Sequence, residues 1–200
     1  MGRKAIKKER INNPKKELVI IQLLIAYLRT NSLSNSNMDD IAAGLNKSKA
    51  TIYKYFKSKE ELIEALITYK IEKISAFVHI LHDSEIPFMS RLELSFNLLE
   101  EHIVDISNDF IDDLKSYFPR VYAKIELLIQ LAVNELSKYY TEGMERGIFN
   151  QLNAKMLSQN DFVFFRTLTD PVYLKENNLT MSQAFNDFYQ IRCLGIIPKN

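Results

Sequence analysis

The sequence predicts an all-α chain in two parts, and three observations carry that expectation. Only 5 of the 200 residues are Gly and 5 are Pro, while 46% are apolar and Leu, Ile, Lys and Glu are abundant, a composition of helices rather than sheets. Apolar residues recur at three- and four-residue spacing along most of the chain. The charge is unevenly divided. Residues 1–59 carry 13 Lys/Arg against 4 Asp/Glu, a balance of +9, whereas residues 60–200 carry 13 against 21, a balance of −8. A basic head on an acidic body suits a polyanionic partner that meets one end only.

Taken in order, residues 1–15 read as a basic arm, with Arg3, Lys4, Lys7, Lys8 and Arg10 and little apolar surface. Pro14 stands where a helix can begin. From Lys16 to about Thr30, Leu18, Ile21, Leu24, Ile25 and Leu28 share one helical face. NSLSNSN (residues 31–37) is a loop by composition, and Asn37 caps a short helix, MDDIAAGL, whose first turn holds Asp39 and Asp40. Asn46 can take the left-handed conformation of a tight turn, and Ser48 caps a second short helix, KATIYKYF. Ser58-Lys59-Glu60-Glu61 has the form of a capping box, opening a helix expected to run to about His82. Further helices are expected at about 88–107, 109–117, 120–146, 153–168 and 181–194, separated by breaks that include Thr169-Asp170-Pro171.

Several function classes lack their signatures. The single cysteine, Cys193, cannot form an internal disulfide, and an inert buried thiol is the expectation for it. No stretch approaches the ~20 apolar residues of a membrane span, and MGRKAIKKERINNPKK has no apolar signal core, so a cytoplasmic protein is expected. There is no Gly-rich phosphate loop, H-E-x-x-H or G-x-S-x-G. His79 and His82, near Asp83 and Glu85, lack a zinc spacing, so neither metal, cofactor nor enzyme activity is expected.

Two short helices joined by a tight turn form a helix-turn-helix, which offers its second helix to a DNA groove. Ile41, Ala42, Leu45, Ile52 and Phe56 supply the apolar contacts for that packing, with Ala42 small enough for close approach. The second helix would then expose Lys49, Ala50, Thr51, Tyr53 and Lys54, short groups for base edges and Lys or Tyr for phosphates. IAAGLNKSKATIYKYFKSKEELIEAL (residues 41–66) resembles the TetR family of one-component regulators. Ile41-Ala42, Ser48, Thr51, Ile52, Tyr53, Tyr55, Phe56, Ser58, Lys59, Glu60 and Leu62 fall on the family's pattern in register. Asn46, Lys47 and Ala50 depart from it, standing where the family usually has Gly, an apolar residue and Gly; the last bears on which operator is read.

The resemblance implies a head (16–66) that binds double-stranded DNA and a body (67–200) that dimerises and takes an effector. Lys49, Ala50 and Thr51 would touch bases. Asn37, Lys47, Ser48, Tyr53, Lys54 and Tyr55 complete the expected DNA face, and Lys59 would hold a phosphate from a helix N-terminus. An apolar or aromatic effector would lie among Phe96, His102, Phe110, Tyr117, Tyr122 and Tyr139. A homodimer would join through Phe162, Phe165, Met181, Phe185, Phe188 and Tyr189, although these stripes could equally fill one chain's core. The function so implied is a ligand-responsive repressor on a palindromic operator. Its rivals are a helical enzyme or ligand carrier with the head as scaffold, and an architectural DNA binder without a ligand.

Overall fold

The computed structural model of the chain describes residues 13–196, with side chains through Arg192. The basic arm before Asn13 and the Cys193 side chain therefore lie outside the described residues. Every regular element described is helical: α1 (Pro14–Leu28), α2 (Met38–Gly44), α3 (Lys49–Ile52), α4 (Lys59–Ser75), α5 (Phe77–His82), α6 (Phe88–Ile103), α7 (Asn108–Tyr117), α8 (Pro119–Glu145), α9 (Ala154–Leu168), α10 (Pro171–Glu176) and α11 (Met181–Ile196). The chain divides into two compact units, residues 1–66 and 67–200, so that α4 begins in the first and ends in the second. Among the described residues no helix is long and apolar enough to cross a membrane.

The first unit is a small three-helix core completed by the start of α4. Asn13 caps α1 by accepting from the Lys16 amide at 3.2 Å, and Pro14 occupies the first turn, where its missing N–H costs nothing. Ile20, Ile21, Leu24 and Leu28 of α1 are buried, as are Leu33, Ile41, Ile52, Leu62 and Ile63 of the same unit. At Gly44 the Tyr27 ring lies so close that a Cβ there would overlap it, which fixes a glycine at the end of α2.

The second unit is a bundle around the long α8, against which α5, α7 and α9 pack, with α11 on α6 and α9. Its core is strongly aromatic. Phe88 stacks on Tyr139 at 4.4 Å, and the Tyr139 hydroxyl donates to the Phe88 carbonyl at 2.6 Å. Phe149 folds back onto this pair across Gly143, where again a Cβ would overlap the ring. A second cluster joins Phe96, Phe165, Phe185 and Phe188, with Phe164 stacked on Phe188 at 4.3 Å.

Three element expectations need correction. The helix expected at 49–56 is α-helical only over Lys49–Ile52; beyond it the amides of Lys54 and Tyr55 bond three residues back, at 3.3 and 2.9 Å, tightening the chain so that Tyr55 and Phe56 are both buried. The helix expected from 59 to about 82 breaks at Ala76, where three-residue bonds (Ala76 to Lys73, His79 to Ala76) replace the regular ladder and let Phe77 and Leu81 bury in α5. Thr169-Asp170-Pro171 is a helix start, not merely a break: the Asp170 carboxylate accepts from the Val172 amide at 3.0 Å, and Pro171 opens α10.

Candidate nucleic-acid interface and effector cavity

Local chemistry sets the turn between α2 and α3. The Asn37 side chain accepts from the Asp39 and Asp40 amides at 2.7 and 3.1 Å, and the Asp40 carboxylate accepts from the Asn37 amide at 2.8 Å, a complete capping box. Asn46 takes a φ of 51°, the left-handed step that turns the chain sharply after α2. Ser48 then caps α3, its hydroxyl accepting from the Thr51 amide at 3.1 Å and lying 2.8 Å from the Thr51 hydroxyl. The orphan donors of both helix starts are thus partly satisfied by side chains, which holds the turn rigid.

This rigid turn carries the expected DNA face outward. Lys47, Ser48, Lys49, Ala50, Tyr53 and Lys54 are exposed and Thr51 is half-buried. Two residues depart from their expected roles. Tyr55 is buried, so its ring is part of the core and at most its edge reaches the surface. The Lys59 ammonium donates to the Leu33 carbonyl, tying the start of α4 to the loop before α2. That bond gives Lys59 a structural duty which the expectation of a phosphate contact did not include. Asn37, for its part, spends its carbonyl on capping.

Sequence reasoning missed two residues. Lys16, from the first turn of α1, lines a shallow groove with Lys47, Thr51, Lys54 and Tyr55, bringing three ammonium groups around the start of α3. Asp39 holds the Lys49 ammonium at 2.7 Å, with both side chains exposed, and this hydrogen bond raises the Lys49 pKa above its ordinary value. Lys16 is 31 positions from Lys47 in sequence and carries no local signal of their proximity. Asp39 was legible only as a helix-dipole partner.

In the body, a cavity of about 120 Å³ opens among α4, α6, α7, α8, α9 and α11. Its wall is aliphatic, with Ile67, Ile71, Ile103, Ile125 and Leu128 among its residues, and Lys70 reaches it from α4. None of the six residues expected to line an effector pocket lines this cavity. Phe96 is taken up by Phe185 and Tyr189, at 5.0 and 4.9 Å, while Phe110 and Tyr139 are buried in the core. Tyr117 is 65% exposed. His102 is half-buried and offers its backbone carbonyl to Lys70 at 3.0 Å. Tyr122 lies in a separate surface depression with Phe162 and Arg166.

The residues expected at a dimer interface are divided in the same way. Phe165, Met181, Phe185 and Phe188 are buried within their own chain, Phe162 and Tyr189 are half-buried, and among the described side chains of α9 and α11 the large exposed apolar ones are Met156, Val163 and Ile191. His82, set aside as a ligand in the sequence, hydrogen-bonds Glu135 at 2.7 Å. Among the described residues no group of three or more His, Cys, Asp or Glu is placed to hold a metal ion.

Comparison with known proteins agrees with this geometry. Residues 26–66 match the profile of the "Bacterial regulatory proteins, tetR family". The HTH-type transcriptional regulator YvaF of Bacillus subtilis is 29% identical over 160 residues, 80% of this chain and 84% of the relative. The nucleoid occlusion factor SlmA of Shewanella frigidimarina is 29% identical over 149 residues, 69% of this chain and 75% of the relative. A TetR transcription regulator from Haloarcula marismortui superposes with a TM-score of 0.72 at 15% identity, over 93% of this chain and all of the other. The residues that the family profile matches are the ones that build the capped turn and α3, so this segment is similar to the DNA-binding region of the TetR family, and the whole chain shares its fold with a TetR transcription regulator.

Proposed function

We propose that the chain acts in the cytoplasm as a homodimer on a two-fold operator, and that an apolar effector in the body cavity releases the DNA. The observation that carries the first part is the exposed run Lys47–Ala50, with the half-buried Thr51 beside it, on a doubly capped turn flanked by Lys16 and Lys54. Lys49, Ala50 and Thr51 present short groups to base edges, while Lys16, Lys47, Tyr53 and Lys54 meet phosphates. One such short helix reads too few base pairs for useful specificity, so two copies act on half-sites about 34 Å apart or a multiple of that. Residues 16–66 serve as the DNA-binding head and 67–200 as the body, and the basic residues before 13 add positive charge to the head.

Effector control is supported by α4, which starts in the head and lines the body cavity with Ile67, Ile71 and Ile74. A ligand that fills the cavity and favours one position of this helix changes the affinity of the head by the same free energy. The dimer surface includes Met156, Val163 and Ile191, with Phe162 and Tyr189 at its edge, because among the described side chains of α9 and α11 Leu157, Phe165, Leu168, Met181, Phe185 and Phe188 are buried inside the chain.

The test is selection of bound fragments from the genome that encodes the chain, followed by titration of the best site against salt. Affinity should fall on a log–log scale with a slope of about −0.9 per phosphate contact, and the selected site should be an inverted repeat. A flat salt response, or an asymmetric site bound by one copy, defeats the proposal.

A further inference from the structure

The chemistry that α3 leaves outward narrows the bases it reads, on the footing that the exposed run at its start meets DNA as proposed above. We infer that Ala50 recognises the 5-methyl group of a thymine, so that each half-site carries one A·T pair read by apolar contact and not by hydrogen bonds.

The polar groups on either side of Ala50 are engaged by the protein itself. The Lys49 ammonium is bonded to the Asp39 carboxylate at 2.7 Å and lies over the Tyr53 ring, 6.0 Å from its centroid. Both members of the ion pair are exposed, so it is weak, yet a guanine must displace it before Lys49 can serve O6 or N7. The Thr51 hydroxyl lies 2.8 Å from that of Ser48, and the Ser48 oxygen also accepts from the Thr51 amide at 3.1 Å. Two hydroxyls bonded to each other keep one proton between them for any outside acceptor. Ala50 stands among these residues, exposed, and its whole side chain is a methyl.

A methyl discriminates between bases in two ways. In the major groove guanine, adenine and cytosine present donors and acceptors, and thymine alone adds a methyl. Set against a donor or acceptor, Ala50 takes water from a polar atom and returns no hydrogen bond, which costs affinity. Set against the thymine methyl, it removes apolar surface from water on both sides, which adds affinity. Preference for thymine thus has a repulsive part as well as an attractive one. Positioning on the duplex does not fall to Ala50, because Lys16, Lys47 and Lys54 line the groove beside Thr51 and supply ammonium groups for phosphates.

Uracil is the probe, since it differs from thymine by the 5-methyl alone and keeps every hydrogen-bonding edge. The full chain is titrated by competition against its selected operator, with uracil placed for thymine at one position at a time. At one position in each half-site uracil should weaken binding about fourfold, the worth of one buried methylene, and about sixteenfold when both half-sites carry it. Cytosine there should bind poorly, and 5-methylcytosine, which restores the methyl on a different edge, should recover about fourfold of that loss. Ala50→Gly should abolish the preference for thymine over uracil at that position and no other. The ratio of the two within one variant cancels any general loss of affinity from a looser α3. Ala50→Ser, which keeps the Cβ but puts a hydroxyl on it, should abolish the preference too and guards against a glycine that disorders the helix. If uracil is tolerated at every position, or its penalty persists undiminished in both variants, the role of Ala50 is overturned while the operator reading stands. If no genomic site is preferred over random DNA, the operator reading fails and this inference with it.

Discussion

Truncating Phe188 separates a core role from an interface role for the last helix. Its ring is 5% exposed, stacks on Phe164 at 4.3 Å, meets Phe165 at 5.4 Å, and lies under the Arg192 guanidinium at 5.2 Å. All of these partners belong to the same chain. Phe188→Ala should therefore cost the folded protomer about 3–5 kcal/mol, the usual loss for a buried phenylalanine. At about 2–4 °C per kcal/mol for a chain of this size, the melting temperature should fall by roughly 6–20 °C. Val163→Glu is the control: the residue is 56% exposed in the chain, so it should leave the fold within about 0.5 kcal/mol and instead abolish the dimer. Circular-dichroism melts and sedimentation, at one fixed protomer concentration because dimerisation itself raises stability, read both effects. A Phe188→Ala protein that is a well-folded monomer with an undiminished melting temperature would refute the assignment of this ring to the core. A dimeric Val163→Glu protein would refute the interface.

Lys59 and Lys47 should behave differently. Lys59→Met removes the tie to the Leu33 carbonyl and should lower the melting temperature of the head, whereas Lys47→Ala should leave it unchanged and reduce the salt slope of DNA binding by about 0.9 per protomer. Melts and salt titrations of both variants check this. Asp39→Asn releases Lys49 from its carboxylate and removes a negative charge from the DNA face, so affinity should rise a few-fold on specific and nonspecific DNA alike, read by competition binding. Acid stability should depend on Glu135, whose carboxyl is held below its ordinary value of 4.5 by hydrogen bonds from Lys138 and then His82. A depressed carboxyl stabilises the fold above its unfolded-state pKa, and that stabilisation is lost as pH falls through the folded-state value. Melts from pH 7 to 3 should show Glu135→Gln less stable at the neutral end and less sensitive to acid than the parent.

The head was legible because its determinants are short in range. Asn37 with Asp40, the left-handed Asn46 and the Ser48 cap each act within a few residues, and the structure uses all of them as the sequence implies. The same reasoning could have found α10, since an Asp followed by Pro is a helix start as well as a break. The kink at Ala76 had no such marker: neither Gly nor Pro is there, and only the burial of Phe77 and Leu81 explains it. Likewise the Lys59–Leu33 bond spans 26 positions and leaves no local trace. Periodicity says which residues turn inward on a helix, but not which inward residue meets which.

That limit is sharpest in the body, where the aromatic residues suggested a pocket and instead consumed one another. Tyr139, Phe88 and Phe149 close one cluster, and Phe96, Phe165, Phe185 and Phe188 another. Large flat rings pack efficiently on each other, so the space left over falls among side chains that pack less freely. Isoleucine is stiff at its first torsion and cannot swing to fill an irregular gap, and isoleucines dominate the wall of the cavity. A cavity in a bundle of this kind is then to be sought where branched aliphatic residues from several helices converge. The buried pairing of Lys70 with Asp105 beside that cavity left as little trace, since its position within an ordinary amphipathic helix distinguishes Lys70 from no other lysine of α4.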